Sequence, residues 1–336
     1  MMEDLRILVV CHQAVVGDYI RRIQPNLKIH FIPIKTYGVT LTDEHFEGIT
    51  LTDIDVCFGN QVIYEQIVTK YPNIKWFHSI TAGNEIAFSV WREQGKPPPC
   101  IYTRIHSLMD VTIPQYILSY ILWSERRILE LHEKQKKKEW AGNVVDFRPL
   151  EEVKVGILGL GFIGKPAAKL CKSMSMKVIA MSRRRVPIEN RESYVDDYKL
   201  LEDLDDLLST CDYIVNLLPS SNLTVGLLNG DVLSACKQKP VFINVGRGDI
   251  IDENSIINAL RNGWISKAIL DVFEREPLPT SSPLWEEPGI FITHHTAFGL
   301  YREGHFQKLV DDFFENCQRF VQRKPLVGEV DVENGY

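Results

Sequence analysis

The sequence predicts an α/β protein built on two parallel sheets. Short apolar runs alternate with segments of helical periodicity along the chain, which is the pattern of β-α-β units. One of these runs leads directly into Gly-x-Gly-x-x-Gly, a sequence typical of the turn between a strand and a helix in such units. The chain has 336 residues, and at roughly 150 residues per domain that length predicts two domains.

The first third of the chain predicts one of these domains. Its strands are predicted at 7–10, 55–58 and 75–77. The segment 61–70 predicts an intervening helix, which Tyr71-Pro72 would end. The proline-rich stretch 94–99 predicts a surface loop near a domain boundary, since proline lacks an N–H and disfavours helix in the residue before it.

A long helix is predicted at 113–131, where apolar residues keep helical spacing. Its polar end continues into the lysine-rich run 134–138. This run could bind nucleic acid or form a solvated helix face, and a net acidic protein favours the solvated face.

Six further apolar runs predict a second, larger sheet. They lie at 153–158, 177–181, 213–217, 241–245, 268–272 and 290–293. Helical patterns separate them, so the strands are expected to be parallel.

Composition and charge exclude several classes of protein. Hydrophobic residues make up 45% and charged residues 24% of the chain, an ordinary globular mixture. The net charge of −6 gives no overall attraction to nucleic acid or anionic lipid. The seven cysteines lie far apart without zinc spacing, so we expect free thiols, a reducing compartment and no metal. The apolar runs fall short of the ~18 residues of a membrane span, and the N-terminus lacks a secretion-signal pattern. We therefore expect a cytoplasmic protein.

A dinucleotide site is predicted at 159–164, which reads Gly-Leu-Gly-Phe-Ile-Gly. Gly159 permits the tight turn, Gly161 lets the backbone approach a pyrophosphate, and Gly164 allows close helix–strand packing. The anion would lie at the helix N-terminus, beside Phe162 and Ile163. The alternative is a glycine turn without a ligand, which the strand–turn–helix context disfavours.

The residues after the next strand predict NADP(H) rather than NAD(H). An acid for the ribose 2′-hydroxyl is expected about 20 residues past the glycines, where the chain instead has Ser182, Arg183 and Arg184. Guanidinium groups suit a 2′-phosphate because they donate charge-assisted hydrogen bonds. A solvated loop remains the alternative for Arg184.

Three polar residues that follow separate strands are candidates for catalysis: Arg247, Glu276 and His295. Ligands collect at the carboxyl ends of parallel strands, so these residues could meet in one crevice. Histidine suits the proton exchange that accompanies hydride transfer to a carbonyl, a carboxylate would favour its imidazolium, and a guanidinium would hold a substrate carboxylate. Taken singly, each has a structural alternative: a turn arginine, a charge before Pro277, and a core histidine.

Several motifs together resemble the D-isomer-specific 2-hydroxyacid dehydrogenases. They are the glycine loop, Asn-Leu-Leu-Pro at 216–219, Asn-Val-Gly-Arg-Gly-Asp-Ile-Ile-Asp at 244–252, Asp-Val-Phe-Glu-Arg-Glu-Pro-Leu at 271–278 and Thr-His-His at 293–295. The resemblance extends over nearly the whole chain and is strongest between residues 110 and 299. Within the family, Phe-Arg-Pro-Leu at 147–150 and Ser182-Arg183 are most similar to NADPH-dependent glyoxylate/hydroxypyruvate reductases.

The resemblance implies a role for each candidate residue. Arg247, Glu276 and His295 would be the catalytic triplet, and the amides of Ala82 and Gly83 would grip the substrate carboxylate. The cofactor residues implied besides the glycine loop and the arginines are Leu218, Pro219 and Ser220 on the adenosine side, Val245 and Gly246 near the nicotinamide ribose, Asp271 at the nicotinamide, and Arg247 and His295. His294 stands where the family usually has proline, which leaves a one-residue ambiguity between His294 and His295. Ala297, two residues later, favours His295.

The resemblance also implies two Rossmann-like domains, with the nucleotide-binding domain inserted into a flavodoxin-like substrate domain. The substrate domain would comprise 1–107 and 298–336, including a returning helix at 302–321, and the NAD(P)-binding domain 108–297, with the active site in the cleft between them. The implied activity is NADPH-dependent reduction of a short 2-oxo acid to the D-2-hydroxy acid by a homodimer.

Two alternatives stay open at this point. A corepressor-like nucleotide sensor of the same fold is disfavoured by the missing ribose acid. A D-3-phosphoglycerate dehydrogenase-like enzyme is disfavoured because no basic residue is evident around Ala82.

Overall fold

The structure is a computed structural model that describes residues 2–11, 14–34, 40–49, 54–95, 100–140, 142, 146–299 and 303–330. It is an α/β fold with two parallel sheets. The chain divides into two compact units, Met1–Leu108 with Leu300–Tyr336, and Met109–Gly299. We refer to them as unit 1 and unit 2.

Unit 1 is built around a parallel sheet of order β2-β1-β3-β4-β5. Its elements are β1 Arg6–Cys11, α1 Ala14–Ile23, β2 Lys28–Pro33, β3 Val56–Gly59, α2 Tyr64–Lys70, β4 Trp76–Ser79, α3 Glu85–Gln94 and β5 Ile101–Arg104. The central strands β1, β3 and β4 are almost wholly buried, as expected for a parallel sheet covered on both faces.

Unit 2 carries the larger parallel sheet. Its elements are α4 Met109–Glu125, α5 Ile128–Lys136, β6 Lys154–Leu158, α6 Gly164–Ser173, β7 Lys177–Met181, β8 Asp197–Lys199, α7 Leu204–Thr210, β9 Tyr213–Asn216, β10 Val241–Asn244, α8 Glu253–Arg261, β11 Lys267–Leu270 and β12 Ile290–Ile292. The strand order is β12-β11-β10-β9-β6-β7-β8.

The C-terminal helix α9, Glu303–Val321, belongs to unit 1. Its apolar face packs on the first sheet, where Phe313 contacts the rings of Phe58 and Trp76 at centroid distances of 4.7 and 5.3 Å. Burial of this aromatic cluster explains why the end of the chain returns to the first domain. Residue 302, where the predicted helix began, lies outside the described residues.

Two predictions for the region between the domains need correction. The single helix predicted at 113–131 is two helices, because Arg127 has a left-handed backbone with φ of 51° that ends α4 before α5 begins. Gln94, predicted as loop, is the last residue of α3, and 96–99 lie outside the described residues. In the lysine-rich run, Lys136 is exposed and pairs with Glu133 at 2.7 Å, as on a solvated helix face.

An ion-pair network joins α4 to the second sheet. Arg148 donates to Glu125 through Nη2 at 2.7 Å and to Asp212 through Nη1 at 2.7 Å. The two carboxylate side chains are only 10% and 15% exposed. Tyr213 also donates to Glu125, at 2.8 Å. The guanidinium therefore neutralises two largely buried carboxylates at the amino end of β9.

The strand register brings four chain segments to one edge of the second sheet. Asn216 pairs with Asn244, Asn244 with Leu270, and Leu270 with Ile292. The residues immediately after β9, β10, β11 and β12 consequently leave the sheet side by side at its carboxyl edge. All the predicted catalytic residues follow these strands.

Three further properties hold for the described residues. No helix there is long and apolar enough to cross a membrane. Within the same ranges no group of His, Cys, Asp and Glu could hold a metal ion. All seven cysteines are buried and free.

Candidate active site

The glycine loop between β6 and α6 has the geometry of an anion cradle. Gly159 has a φ of +106°, a conformation that L side chains rarely adopt. A Cβ on Gly164 would lie 2.0 Å from the Gly159 carbonyl oxygen, so only glycine allows this close packing. A Cβ on Gly161 would meet no protein atom within 4 Å. The space beside Gly161 and the N-terminus of α6 therefore suit a pyrophosphate. Phe162 is exposed and Ile163 half-buried in the same loop.

The second cofactor segment starts on the adjacent strand. Leu158 pairs with Met181, so 182–184 leave the sheet next to the glycine loop. The Ser182 hydroxyl donates to the Arg184 carbonyl at 2.8 Å, which shapes this turn. The side chains of Arg183 and Arg184 are exposed. A 2′-phosphate in this position would meet cationic donors.

A pair of buried asparagines shapes the next part of the edge. Asn216 donates through Nδ2 to Asn244 Oδ1 at 2.8 Å, and its Oδ1 accepts from the Leu218 amide at 3.1 Å. Asn244 Oδ1 also accepts from the Gly246 amide at 3.3 Å. These bonds fix the backbone of both loops against each other. Val245 and Gly246 are buried there, Pro219 is exposed, and Ser220 hydrogen-bonds Asp249.

Glu276 and His295 form a hydrogen-bonded pair. Nδ1 of His295 lies 2.6 Å from Oε2 of Glu276, and Oε1 of Glu276 accepts from the Phe273 amide at 2.9 Å. The hydrogen bond to Glu276 raises the pKa of His295 above its ordinary value, against the effect of burial. Burial acts to raise the pKa of Glu276, but the bonds from His295 and Phe273 hold it below its ordinary value. The pair therefore favours an imidazolium beside a carboxylate.

Arg247 adds positive charge to this pair. Like His295, Arg247 lowers the pKa of the Glu276 carboxyl. It also lowers the pKa of His295, because its positive charge disfavours the imidazolium. Its Nη1 donates to the Gly246 carbonyl at 2.7 Å, and its own carbonyl accepts from Asn244 at 3.1 Å. The structure thus brings all three predicted catalytic residues within electrostatic reach of one another.

His294 and His295 have different surroundings. The His294 ring lies 6.0 Å from the ring of Trp285, centroid to centroid, whereas the His295 ring contacts Glu276. The adjacent histidines therefore differ in partner, and the acid–base geometry belongs to His295.

The substrate loop predicted at Ala82 and Gly83 lies in unit 1, after β4. The Ala82 carbonyl accepts from Nη1 of Arg104 at 3.0 Å, and Gly83 is buried. The prediction that no basic residue lies near Ala82 is wrong, because Arg104 on β5 pairs in register with Ser79 at the end of β4. The sequence signal for this residue was the short run Ile-Tyr-Thr-Arg at 101–104, which has the composition of a strand and ends in a basic residue.

Fold and site together define a dinucleotide-binding unit whose sheet carries, at its carboxyl edge, both the glycine loop and an imidazole–carboxylate pair. Residues 118–297 match the family model described as D-isomer specific 2-hydroxyacid dehydrogenase, NAD binding domain. The chain belongs to the D-isomer specific 2-hydroxyacid dehydrogenases.

The chain is also similar to curated reductases, one over part of its length and one over nearly all of it. The chain is 35% identical to glyoxylate/hydroxypyruvate reductase B of Serratia proteamaculans over 58% of this chain and 62% of that one. It is 27% identical to glyoxylate/hydroxypyruvate reductase B of Escherichia coli over 94% of this chain and 96% of that one. Among solved structures, it matches an NADPH-dependent glyoxylate/hydroxypyruvate reductase from Sinorhizobium meliloti in complex with NADP and sulfate. That match has a TM-score of 0.82 and 26% identity, and covers 98% of this chain and 99% of the other.

Proposed function

We propose that this protein catalyses the NADPH-dependent reduction of a short 2-oxo acid, such as glyoxylate or hydroxypyruvate, to the D-2-hydroxy acid. The observation that carries the proposal is the 2.6 Å contact between His295 and Glu276 at the carboxyl edge of a dinucleotide-binding sheet. The activities named for the Serratia, Escherichia and Sinorhizobium proteins support the choice of substrate and cofactor. They do not favour the nucleotide sensor or the phosphoglycerate dehydrogenase alternative.

His295 is the proposed general acid. Reduction of a carbonyl leaves negative charge on its oxygen, and an imidazolium can donate a proton there. Glu276 raises the pKa of the imidazole, which favours its protonated form, and orients the ring through Nδ1, leaving Nε2 for the substrate. Arg247 is proposed to bind the substrate carboxylate and to polarise the neighbouring carbonyl.

The cofactor residues fit NADP(H). When bound, the reduced nicotinamide supplies the hydride. The amides of the glycine loop, with Gly161 open to a ligand, would hold the pyrophosphate, and Ser182 with Arg183 and Arg184 would hold the 2′-phosphate. Leu218, Pro219 and Ser220 would line the adenosine side, while Val245, Gly246 and Asp271 would lie at the nicotinamide end.

The loop that contains Ala82 and Gly83 is proposed to bind the substrate carboxylate through its amides. Arg104 holds the Ala82 carbonyl and so orients this loop. Unit 1 is accordingly the proposed substrate domain and unit 2 the proposed NAD(P)-binding domain.

We also propose that the protein is a cytoplasmic homodimer. Val111, Ile128 and Leu129 expose apolar side chains on α4 and α5, and such surfaces are often covered in assemblies. Sedimentation equilibrium of the wild type and of Leu129→Glu tests the dimer. A monomeric wild type would contradict it.

Turnover with a panel of 2-oxo acids tests the proposed activity. We expect NADPH oxidation with glyoxylate and hydroxypyruvate, higher kcat/KM with NADPH than with NADH, and a product of D configuration on chiral chromatography. Tight NADPH binding without turnover of any 2-oxo acid would refute the enzymatic proposal and support a sensor.

A further inference from the structure

The turn that carries His295 is fastened to Asp271. The His295 amide donates to the Asp271 carbonyl at 2.8 Å. The amides of Thr296 and Ala297 donate to the two oxygens of the Asp271 carboxylate at 2.8 and 3.1 Å. His295 itself has a φ of +54°, a left-handed conformation that is unfavourable for a residue with a Cβ. The turn therefore depends on these bonds to hold an unfavourable backbone.

Two hydroxyl groups form a hydrogen-bonded chain that ends at the Asp271 carboxylate. Oγ1 of Thr293, directly after β12, lies 2.5 Å from Asp271 Oδ1. The hydroxyl of Tyr116, on α4, lies 2.8 Å from the same Thr293 oxygen. A continuous path of hydrogen bonds thus joins α4 to the carboxylate that holds the histidine turn.

The direction of this path follows from the groups at its end. A carboxylate can only accept, so Thr293 donates to Asp271 and its oxygen must accept from Tyr116. Tyr116 can donate only while protonated, and burial raises its pKa. The Tyr116 hydroxyl therefore keeps its proton to higher pH than an ordinary tyrosine and can donate to Thr293.

Burial makes the path important for the carboxylate. Asp271 is only 2% exposed, so solvent has little access to replace a lost donor. A buried polar group that loses its partner carries a desolvation penalty and tends to rearrange. Any rearrangement of the carboxylate reaches the Thr296 and Ala297 amides, which bond to the same two oxygens, and through them the His295 ring.

We propose that Thr293 and Tyr116 are positioning residues for His295, acting through the Asp271 carboxylate. This inference rests on the proposed function, in which His295 is the general acid. Neither hydroxyl needs to touch substrate or cofactor. Because a small misplacement of a catalytic group costs rate, their loss should lower kcat by a larger factor than it weakens the binding of NADPH, for which Asp271 is one proposed contact among many.

The test uses Thr293→Val and Tyr116→Phe, which remove one hydroxyl each with little change in shape. Thr293→Ser keeps the donor and serves as the conservative variant. Tyr213→Phe is the matched control, because it removes a partly buried hydroxyl that donates to a carboxylate, Glu125. Tyr213 lies at the opposite end of the same sheet, away from Asp271.

Two readouts distinguish this inference from the proposed function. In amide hydrogen exchange of the free enzyme, we expect the Thr296 and Ala297 amides to exchange about tenfold faster in Thr293→Val, and less so in Tyr116→Phe. In turnover with glyoxylate and NADPH, we expect kcat to fall about tenfold in Thr293→Val, with a smaller change in the KM for NADPH and with activity retained in Thr293→Ser.

The results that would overturn this inference differ from the result that would refute the proposed function. Unchanged exchange at both amides together with a kcat within about twofold of wild type in Thr293→Val would overturn the inference. Equal losses in Thr293→Val and Tyr213→Phe would also overturn it, since they indicate general destabilisation. A wild type inactive toward every 2-oxo acid refutes the proposed function, while the exchange measurement still decides whether the hydroxyls hold the turn.

Discussion

The carboxylate of Glu276 lies 2.6 Å from Nδ1 of His295, although the two residues follow different strands. Glu276 is held in turn by the Phe273 amide, and His295 by the Asp271 carbonyl. Both sides of the pair are thus fixed to the backbone just beyond β11. The pair is a preformed acid–base unit, and its electrostatics give the first prediction.

The activity should fall at alkaline pH. In the proposed function, reduction needs a protonated His295. Because the pKa of His295 is raised, kcat/KM should be retained to higher pH than an ordinary histidine would allow and be lost as pH rises through the shifted value. In Glu276→Gln the negative charge is gone, the His295 pKa falls, and the alkaline limb moves to lower pH. The exposed Glu274→Gln is the control. An unshifted limb in Glu276→Gln would contradict the assigned pairing.

The same linkage has a consequence for stability. The folded pKa of His295 is raised, so its contact with Glu276 contributes stability that is fully present below the ordinary pKa and is lost as pH rises through the folded pKa. We expect the melting temperature, measured from about pH 5 to about pH 9, to depend less on pH in His295→Gln than in wild type. An identical dependence in both proteins would argue against the coupling.

Two alanine substitutions in the glycine loop should affect different properties, namely fold stability in one case and NADPH affinity in the other. Gly164→Ala places a Cβ 2.0 Å from the Gly159 carbonyl oxygen and should destabilise the fold strongly, by roughly 3 kcal/mol or more. Gly161→Ala meets no protein atom and should leave the melting temperature nearly unchanged. It should instead raise the Kd for NADPH, because the methyl group occupies the approach of the pyrophosphate. Differential scanning calorimetry and fluorescence titration measure the two effects; unchanged NADPH affinity in Gly161→Ala would count against the cradle.

Arg183 should set the choice between the two cofactors. Arg183→Ala removes a cationic donor for the 2′-phosphate, so the KM for NADPH should rise about tenfold while that for NADH changes little. Arg185→Ala, on the same exposed loop, is the control for general loss of positive charge. Equal effects on both cofactors would refute a phosphate-specific role.

Arg148 should be a stability determinant without a catalytic effect. Arg148→Met leaves Glu125 and Asp212 largely buried without their guanidinium partner, at a cost of about 2–3 kcal/mol in the free energy of unfolding. Lys136→Met removes a solvent-exposed ion pair with Glu133 and should cost below about 1 kcal/mol. Urea denaturation compares the two variants. A similar small loss in both would show that burial of the carboxylates does not matter here.

Sequence patterns predicted the buried strands but, of the four edge strands, only β12. β1 and β6 are continuous apolar runs because both faces of a central parallel strand are covered. β8 reads Asp-Tyr-Lys and lies at the edge of its sheet, so it carries no apolar signal. β2 and β5 are likewise partly exposed edge strands. The break at Arg127 has no glycine or proline to mark it, and the two helices therefore looked like one.

The candidate site was likewise predicted only in part. The rule that ligands meet at strand ends was enough to group Glu276 with His295, since it depends only on where strands end. Arg104 was missed because β5 was not recognised, and its contact with the Ala82 carbonyl requires the register between β4 and β5. The fastening of the histidine turn to Asp271 depends on the directions of backbone amides, which leave no trace in residue type.

The most direct test of the account is the kcat for glyoxylate reduction by NADPH in wild type, His295→Ala and His294→Ala, with NADPH affinity measured by fluorescence on each. We expect His295→Ala to lose about a hundredfold or more in kcat while the Kd for NADPH stays nearly unchanged. His294→Ala should retain most of its turnover. Near-normal kcat in His295→Ala would contradict the central claim that this imidazole supplies the proton.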